Sequence, residues 1–285
     1  MKKMYLICGL LMPILFIATS CKEKINPNAE ITVTVVKTFT ITGVDFRMIE
    51  VKSGEFMMGA TAEQAGAYDR EKPAHKVKLT KDYFIGETEV TQALWEAVMG
   101  SNPSESGKSG SLPVEHVSWN DICGKGGFLE KLNYVLKGQL PEGRKFRLPT
   151  EAEREHAARG GHKPPKVQTM YSGNVNIDEV AWYYNNSEGK THPVKSLKAN
   201  LLGLYDMSGN VWEWCSDRYG SDTYYKDCSN NGADTVTDPQ GHETGSYRVY
   251  RGGGWNYASG QCRVSFRESN APKLMLDSLG LRLAL

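Results

Sequence analysis

The chain has 285 residues, a formal net charge of +1 at pH 7 and 40% hydrophobic residues. A near-neutral balance excludes the basic footprint of a nucleic-acid binder, and the length suits one sizeable domain or two small ones. No stretch after Ala18 is long and apolar enough to span a membrane, while 29 Gly, 6 Trp and 14 Tyr point to a loop-rich fold pinned by aromatic side chains.

The N-terminus stands apart. Lys2 and Lys3 precede an apolar run from Met4 to Ala18, which closes on Ala18-Thr19-Ser20-Cys21. A short apolar run ending in small residues reads as a signal peptide rather than a membrane span. Cysteine at that point resembles a bacterial lipoprotein processing site, so residues 1–20 are predicted to be removed and Cys21 to carry the lipid. Lys22-Glu23 looks like an outer-surface tag, which places the protein on a lipid anchor in the bacterial cell envelope, at the outer membrane and surface-exposed. Residues 21–43 follow as a polar tether and one or two strands, where β-branched residues alternate between Ile31 and Thr42.

Beyond the tether, Met48–Val51 and Phe56–Gly59 read as a hairpin around Lys52-Ser53-Gly54, and Val77–Leu79 and Tyr83–Gly86 as short strands. Thr91 caps a predicted helix to Met99, with Leu94, Trp95 and Val98 on its apolar face. A Ser- and Gly-rich loop separates it from a second helix over Asn120 to Leu136, which Gly124, Gly126 and Gly127 weaken. Thr150 followed by Glu153 is a capping box, so a third helix runs to Ala158 and stops at Gly160-Gly161. From there on turn residues dominate. The region 44–285 reads as a single irregular, loop-rich α+β domain.

Several segments carry a resemblance. In order they are Gly54-Glu55-Phe56-Met57-Met58-Gly59, Glu87-Thr88-Glu89-Val90-Thr91, Val117-Ser118-Trp119-Asn120-Asp121, Arg147-Leu148-Pro149-Thr150-Glu151-Ala152-Glu153, Gly203 to Trp214, Arg248 to Trp255, Cys262-Arg263-Val264 and Gly280-Leu281-Arg282. This series resembles the sulfatase-modifying factor family, also called the formylglycine-generating enzyme domain. The resemblance implies that family's variant of the C-type-lectin fold. It leaves function open, because the family holds copper-dependent oxidases, binding proteins and envelope lipoproteins.

The resemblance also places candidate sites. Active members hold Cu(I) between two cysteines five residues apart and convert a substrate cysteine to formylglycine. The second cysteine matches Cys262, the first matches Tyr257, and a serine of the pattern matches Gly254. A phenol cannot replace a thiolate as a Cu(I) ligand, so the copper pair is incomplete and Cys262 is the one catalytic candidate. Two readings follow: a binding or assembly module with a protein or peptide partner, or a divergent formylglycine-generating oxidase using copper and O₂. In the resembled enzymes the Gly203–Trp214 segment wraps structural calcium. By position Asp206 and Glu213 supply side-chain oxygens and Gly209 and Val211 backbone carbonyls, a hard-oxygen set that suits Ca²⁺.

Other residues read as structural. Arg147, Glu151 and Glu153 form a helix cap and ion pairs rather than acid–base groups. Arg154 and His156 stand where the family pattern has Trp and Tyr, which predicts loose local packing. His75, His116 and His192 lack ligand spacing. The chain holds 6 Cys, and setting aside Cys8 and Cys21 leaves Cys123, Cys215, Cys228 and Cys262. Four allow three pairings, with Cys215 to Cys228 or to Cys262 favoured. The aromatic clusters Trp182-Tyr183-Tyr184, Tyr224-Tyr225 and Trp255-Asn256-Tyr257 supply core and, in part, a recognition surface.

Overall fold

A computed structural model describes residues 34–221 and 235–285. The predicted leader, the lipidation site Cys21, most of the tether, Tyr224-Tyr225 and Cys228 lie outside the described residues. In chain order the elements are β1 (Val36–Ile41), β2 (Val44–Val51), β3 (Gly54–Met58), β4 (His75–Leu79), β5 (Tyr83–Gly86), α1 (Gln92–Met99), α2 (Trp119–Cys123), α3 (Phe128–Val135), α4 (Glu151–Ala158), β6 (Trp212–Arg218), β7 (Val236–Thr237), β8 (Arg248–Arg251), β9 (Arg267–Asn270) and β10 (Leu279–Leu281). Short strands, short helices and long turns make a loop-rich α+β fold.

Among the described residues there are three small sheets, ordered β1-β2-β5, β10-β6-β8-β9 and β3-β4-β7. β1 pairs antiparallel with β2 along its length, from Val36 opposite Ile49 to Ile41 opposite Val44. It buries Phe39 and Ile41, and Phe39 packs edge-on to Phe146 with ring centroids 5.0 Å apart. The strand assigned to the tether by sequence therefore belongs to the domain, and the compact unit begins at Thr34 rather than at residue 44.

The expected hairpin between β2 and β3 does not form. β2 pairs with β1 and β5, while β3 pairs with β4. The turn amides explain the split: Lys52 donates its N–H to His162 Nδ1 and Ser53 donates to Asp82 Oδ1, so neither closes a hairpin turn. The helix expected over residues 120–136 is likewise two helices. α2 ends at Gly124 and α3 begins after Gly127. A Cβ at Gly127 would stand 2.7 Å from the Asp121 carbonyl, so this corner requires glycine. α1 and α4 match expectation, with Thr91 Oγ1 accepting from Leu94 N–H and Thr150 Oγ1 from Glu153 N–H.

One large apolar cluster joins α1, α3 and the first sheet to Trp212, Trp214, Phe266 and the C-terminal leucines. A second lies between β2, β4, β5 and α4. No helix among the described residues is long and apolar enough to cross a membrane.

Candidate functional site

α4 is unusual in being charged and buried together. Glu151, Arg154, Glu155 and the following Arg159 are each at most 6% exposed. Charges taken from water must be paired and hydrogen-bonded to be tolerated, and here each one is. Glu151 accepts from Arg267 Nε at 2.7 Å and Nη2 at 2.5 Å. Glu155 binds Arg159 Nε at 2.8 Å and, on its other oxygen, Arg251. Glu71, further out, holds Arg263 and the Ser265 hydroxyl. The Glu151 and Glu155 pairs bolt α4 to β9 and β8, and Glu71 ties its own turn to the loop before β9. Arg147 and Glu153 form a two-pronged pair at 2.6 and 2.7 Å, and Glu153 also accepts from Thr150 N–H, as expected of a structural cap.

The loop leading into β6 carries the expected calcium set. Asp206 sits at φ +55° and Gly209 at φ +79°, and a Cβ at Gly209 would run into the backbone of Trp182. Asp206 Oδ2 accepts from Lys195 N–H at 2.8 Å, and its Oδ1 is buried without a hydrogen-bond donor. Glu213 is fully engaged: Oε2 takes Arg154 Nε at 2.8 Å, and Oε1 takes Arg282 Nε at 3.0 Å and Nη2 at 2.9 Å. Burial alone would raise the Glu213 pKa, but Arg154 and Arg282 bring it below the ordinary value. Two cations already hold both oxygens of Glu213, the carboxylate calcium would need most, so the residues present do not fit the ion as the motif places it. The substitution that predicted loose packing does the opposite, because Arg154 is 1% exposed. His156 is also buried, 3.3 Å from the Tyr83 hydroxyl, and burial drops its pKa to about 4.

Sequence reasoning missed Glu89, which the structure brings to this loop. Glu89 is buried and accepts from Val211 N–H at 3.0 Å and Asn210 Nδ2 at 2.8 Å. Burial, with Asp206 and Glu213 nearby, pushes its pKa well up. Its signal was a place in the Glu87–Thr91 segment of the resembling series, with nothing in the sequence to link it to the Asp206 loop.

The copper corner is dismantled. Cys262 is buried in a small cluster with Tyr171, Val180 and Tyr183, and burial pushes its thiol up to about 12. Thiolate, not thiol, binds metal and attacks substrates. Tyr257 instead packs on the main core, its ring edge-on to Trp212 at 5.2 Å. The two positions that converge on one ion in the resembled oxidases thus belong to separate clusters. A side chain at Gly254 would crowd Trp212 and Ser278 at 3.1 and 3.2 Å. Cys123, Cys215 and Cys262 are free, so the pairing of Cys215 with Cys262 is not made, and that with Cys228 lies outside the described residues.

On the surface beside this corner, Tyr184, Asn185, Ser187, Gly189, Trp255 and Asn256 line an open cleft of about 530 Å³. Its backbone is held firmly. Tyr184 N–H donates to the Tyr257 carbonyl, Ser187 Oγ to the Trp255 carbonyl, and Trp255 N–H to the Asn210 carbonyl. Tyr184 is 70% exposed, an aromatic ring on a rigid frame with no partner inside the fold to hide it. His192 stacks on Trp182 with centroids 3.7 Å apart, so it is a packing histidine rather than a ligand.

Comparison with known proteins places this arrangement. The chaperone protein LppX of Paenibacillus barcinonensis is 32% identical over 246 residues, which cover 71% of this chain and 80% of that protein. The formylglycine-generating enzyme of Streptomyces coelicolor is 29% identical over 303 residues, covering 83% and 88%. Among solved structures, Treponema denticola variable protein 1 superposes with a TM-score of 0.72 at 33% identity, covering 88% of this chain and 99% of that one. The family model of the sulfatase-modifying factor enzyme 1-like domain matches residues 35–285, so the chain belongs to that family.

Proposed function

We propose that this protein is a recognition or assembly module of the bacterial cell envelope, built on a C-type-lectin-like variant of the family fold and tethered by a lipid on Cys21. Its work is to bind a protein or peptide partner rather than to oxidise cysteine. The observation that carries this reading is the phenol of Tyr257 packed on the main core where the first thiolate would stand, with the Cys262 thiol buried and pushed up to about 12. O₂ chemistry at Cu(I) needs the ion held between soft ligands in an accessible pocket, and this corner has one sealed thiol. What it keeps is an aromatic cleft with a fixed backbone, and Tyr and Trp give large contact area at little entropic cost. That the relative from Paenibacillus is a chaperone protein supports an assembly role.

A direct assay tests the reading. Cu(I)-loaded protein is incubated with a Cys-x-Pro-x-Arg peptide and the peptide mass is followed. No conversion is expected, and no stoichiometric Cu(I) uptake in competition with a chelating dye. Conversion that disappears in Cys262→Ala would establish a divergent oxidase instead. The anchor has its own test: wild-type protein fractionates with membranes, and Cys21→Ala is released. Equal solubility of the two removes the lipid from the proposal.

A further inference from the structure

The resembled enzymes carry structural calcium in the loop that here runs from Asp206 to Glu213, and this chain places a guanidinium there. We propose that Arg154 is a built-in replacement for that calcium, a cation supplied by the chain itself, which makes the fold independent of the metal.

Three observations converge. The first is the ligand set. Calcium takes six to eight oxygens, and the Glu213 carboxylate of the expected set has both of its oxygens claimed. Arg154 Nε binds Glu213 Oε2 at 2.8 Å, and its Nη2 binds the Met207 carbonyl at 3.1 Å. Arg282 closes the other Glu213 oxygen. What is left of the expected set is Asp206 Oδ1 and the Gly209 and Val211 carbonyls, and with Glu213 taken by two guanidiniums these are too few oxygens to cage a divalent ion.

The second is space. Gly252 sits at φ +105°, and a Cβ built there would collide with Arg154 Nη2. Its carbonyl accepts from Gly209 N–H at 2.8 Å. The backbone of the Arg248–Trp255 segment therefore approaches the loop with the guanidinium packed between, and only glycine leaves it room.

The third is charge. Glu89, Asp206 and Glu213 are all buried around this loop. Among them Glu213 is the one that a positive centre meets, from Arg154 and Arg282. Tryptophan at position 154, as in the family pattern, brings none and leaves the task to a metal. Arginine brings a permanent charge with directed donors that reach Glu213 and the loop carbonyl together. A fixed side chain also costs no binding equilibrium, so the loop stays closed whatever the calcium concentration outside the cell.

Wild-type protein is melted in millimolar CaCl₂ and in excess EGTA, and its calcium content is measured after gel filtration. The expected result is an unchanged melting temperature and no stoichiometric calcium. One calcium per chain, with a melt that falls in EGTA, overturns the proposal. Arg154→Trp is the complementary arm. It is expected to melt lower than wild type in EGTA and to recover with calcium, the melt rising with the logarithm of concentration as for any ligand of the native state, with apparent calcium affinity at least tenfold above wild type. A folded Arg154→Trp that ignores calcium overturns the replacement. Should it not fold in EGTA, refolding is attempted in calcium: recovery supports the proposal, and failure leaves the decision to the wild-type calcium content. Arg154→Lys keeps a charge and is expected to stay blind to calcium.

Discussion

Glu213, on β6, accepts from two guanidiniums, whereas Glu115, in the loop before α2, accepts only from the backbone N–H groups of Glu105 and Ser106. Both are essentially inaccessible to water. Burial raises both carboxylates, yet the arginines carry Glu213 below its ordinary pKa while Glu115 rises to about 7. The same division runs through the interior. Glu151, held by Arg267 and Arg251, is lowered against its burial, and its neighbour Asp217, which takes only Glu151 N–H and the Ser216 hydroxyl, is raised to about 7. A buried acid in this fold is lowered where guanidiniums meet it and raised where only backbone and hydroxyl donors do. The α4 region is therefore an electrostatic frame, and the Glu115 and Asp217 sites are places where the frame stops.

Breaking the frame should have the largest effect. Arg251 spans the centre, binding Glu155 and the carbonyls of Ser265 and Phe266. Arg251→Met leaves a buried carboxylate short of its partner, a kind of loss that costs about 3–5 kcal/mol. Urea unfolding should show the midpoint falling by that loss divided by the slope, with the slope unchanged. A loss below about 1 kcal/mol would mean that the frame is decorative, since that is the range of exposed pairs.

The division also fixes a pH dependence with two opposite limbs. Glu151 and Glu213 have lowered folded pKa values, so their stabilisation is present above the unfolded value near 4.5 and is lost as pH falls through the folded one. Asp217 and Glu115 have raised values. Between their unfolded pKa values and about 7 the native state keeps protons that the unfolded chain has released, so stability declines as pH rises through that window and levels off above it. Each such group contributes a slope of up to about 1.4 kcal/mol per pH unit. Denaturation from pH 5 to 8 should show the decline, and Asp217→Asn with Glu115→Gln should reduce it, leaving the contribution of Glu89 and, with the opposite sign up to about pH 6.5, that of His156. An undiminished slope in the double variant would place the titrating groups elsewhere.

Much of the frame was legible in the sequence and some of it was not, for physical reasons. The Thr150-to-Glu153 spacing gave α4 its start and Gly160-Gly161 its end, because capping is a local interaction between residues three apart. Removing that cap by Thr150→Ala should cost about 1 kcal/mol, a step down from Arg251→Met that compares a local bond with a long-range one in the same helix. The β2–β3 hairpin failed because its turn amides bond to Asp82 and His162, far along the chain. Arg154 was visible as a departure from the family pattern, but its partner Glu213 lies 59 residues away, so the sequence marked the oddity and not its meaning. The loss of the copper pair was readable at Tyr257; the sealing of Cys262 among Tyr171, Val180 and Tyr183 needed the fold.

The smallest effect is predicted where the geometry looks as good as any in the frame. Lys198 Nζ lies 2.6 Å from Glu179 Oε2, matching the 2.5 Å of Arg267 to Glu151. Distance does not distinguish these pairs; water does. The Lys198 and Glu179 side chains are 70% and 36% exposed, against 1% and 3% for Arg267 and Glu151. Solvent screens an exposed pair, and the entropy of holding two long side chains in one geometry offsets most of the attraction that remains. A double-mutant cycle with Lys198→Met and Glu179→Gln at physiological salt should give no coupling beyond experimental error. The corresponding cycle with Arg267→Met and Glu151→Gln should give a large one. Equal couplings would show that separation alone sets the strength of these pairs, and the contrast between Glu213 and Glu115 would then need an explanation other than the guanidiniums.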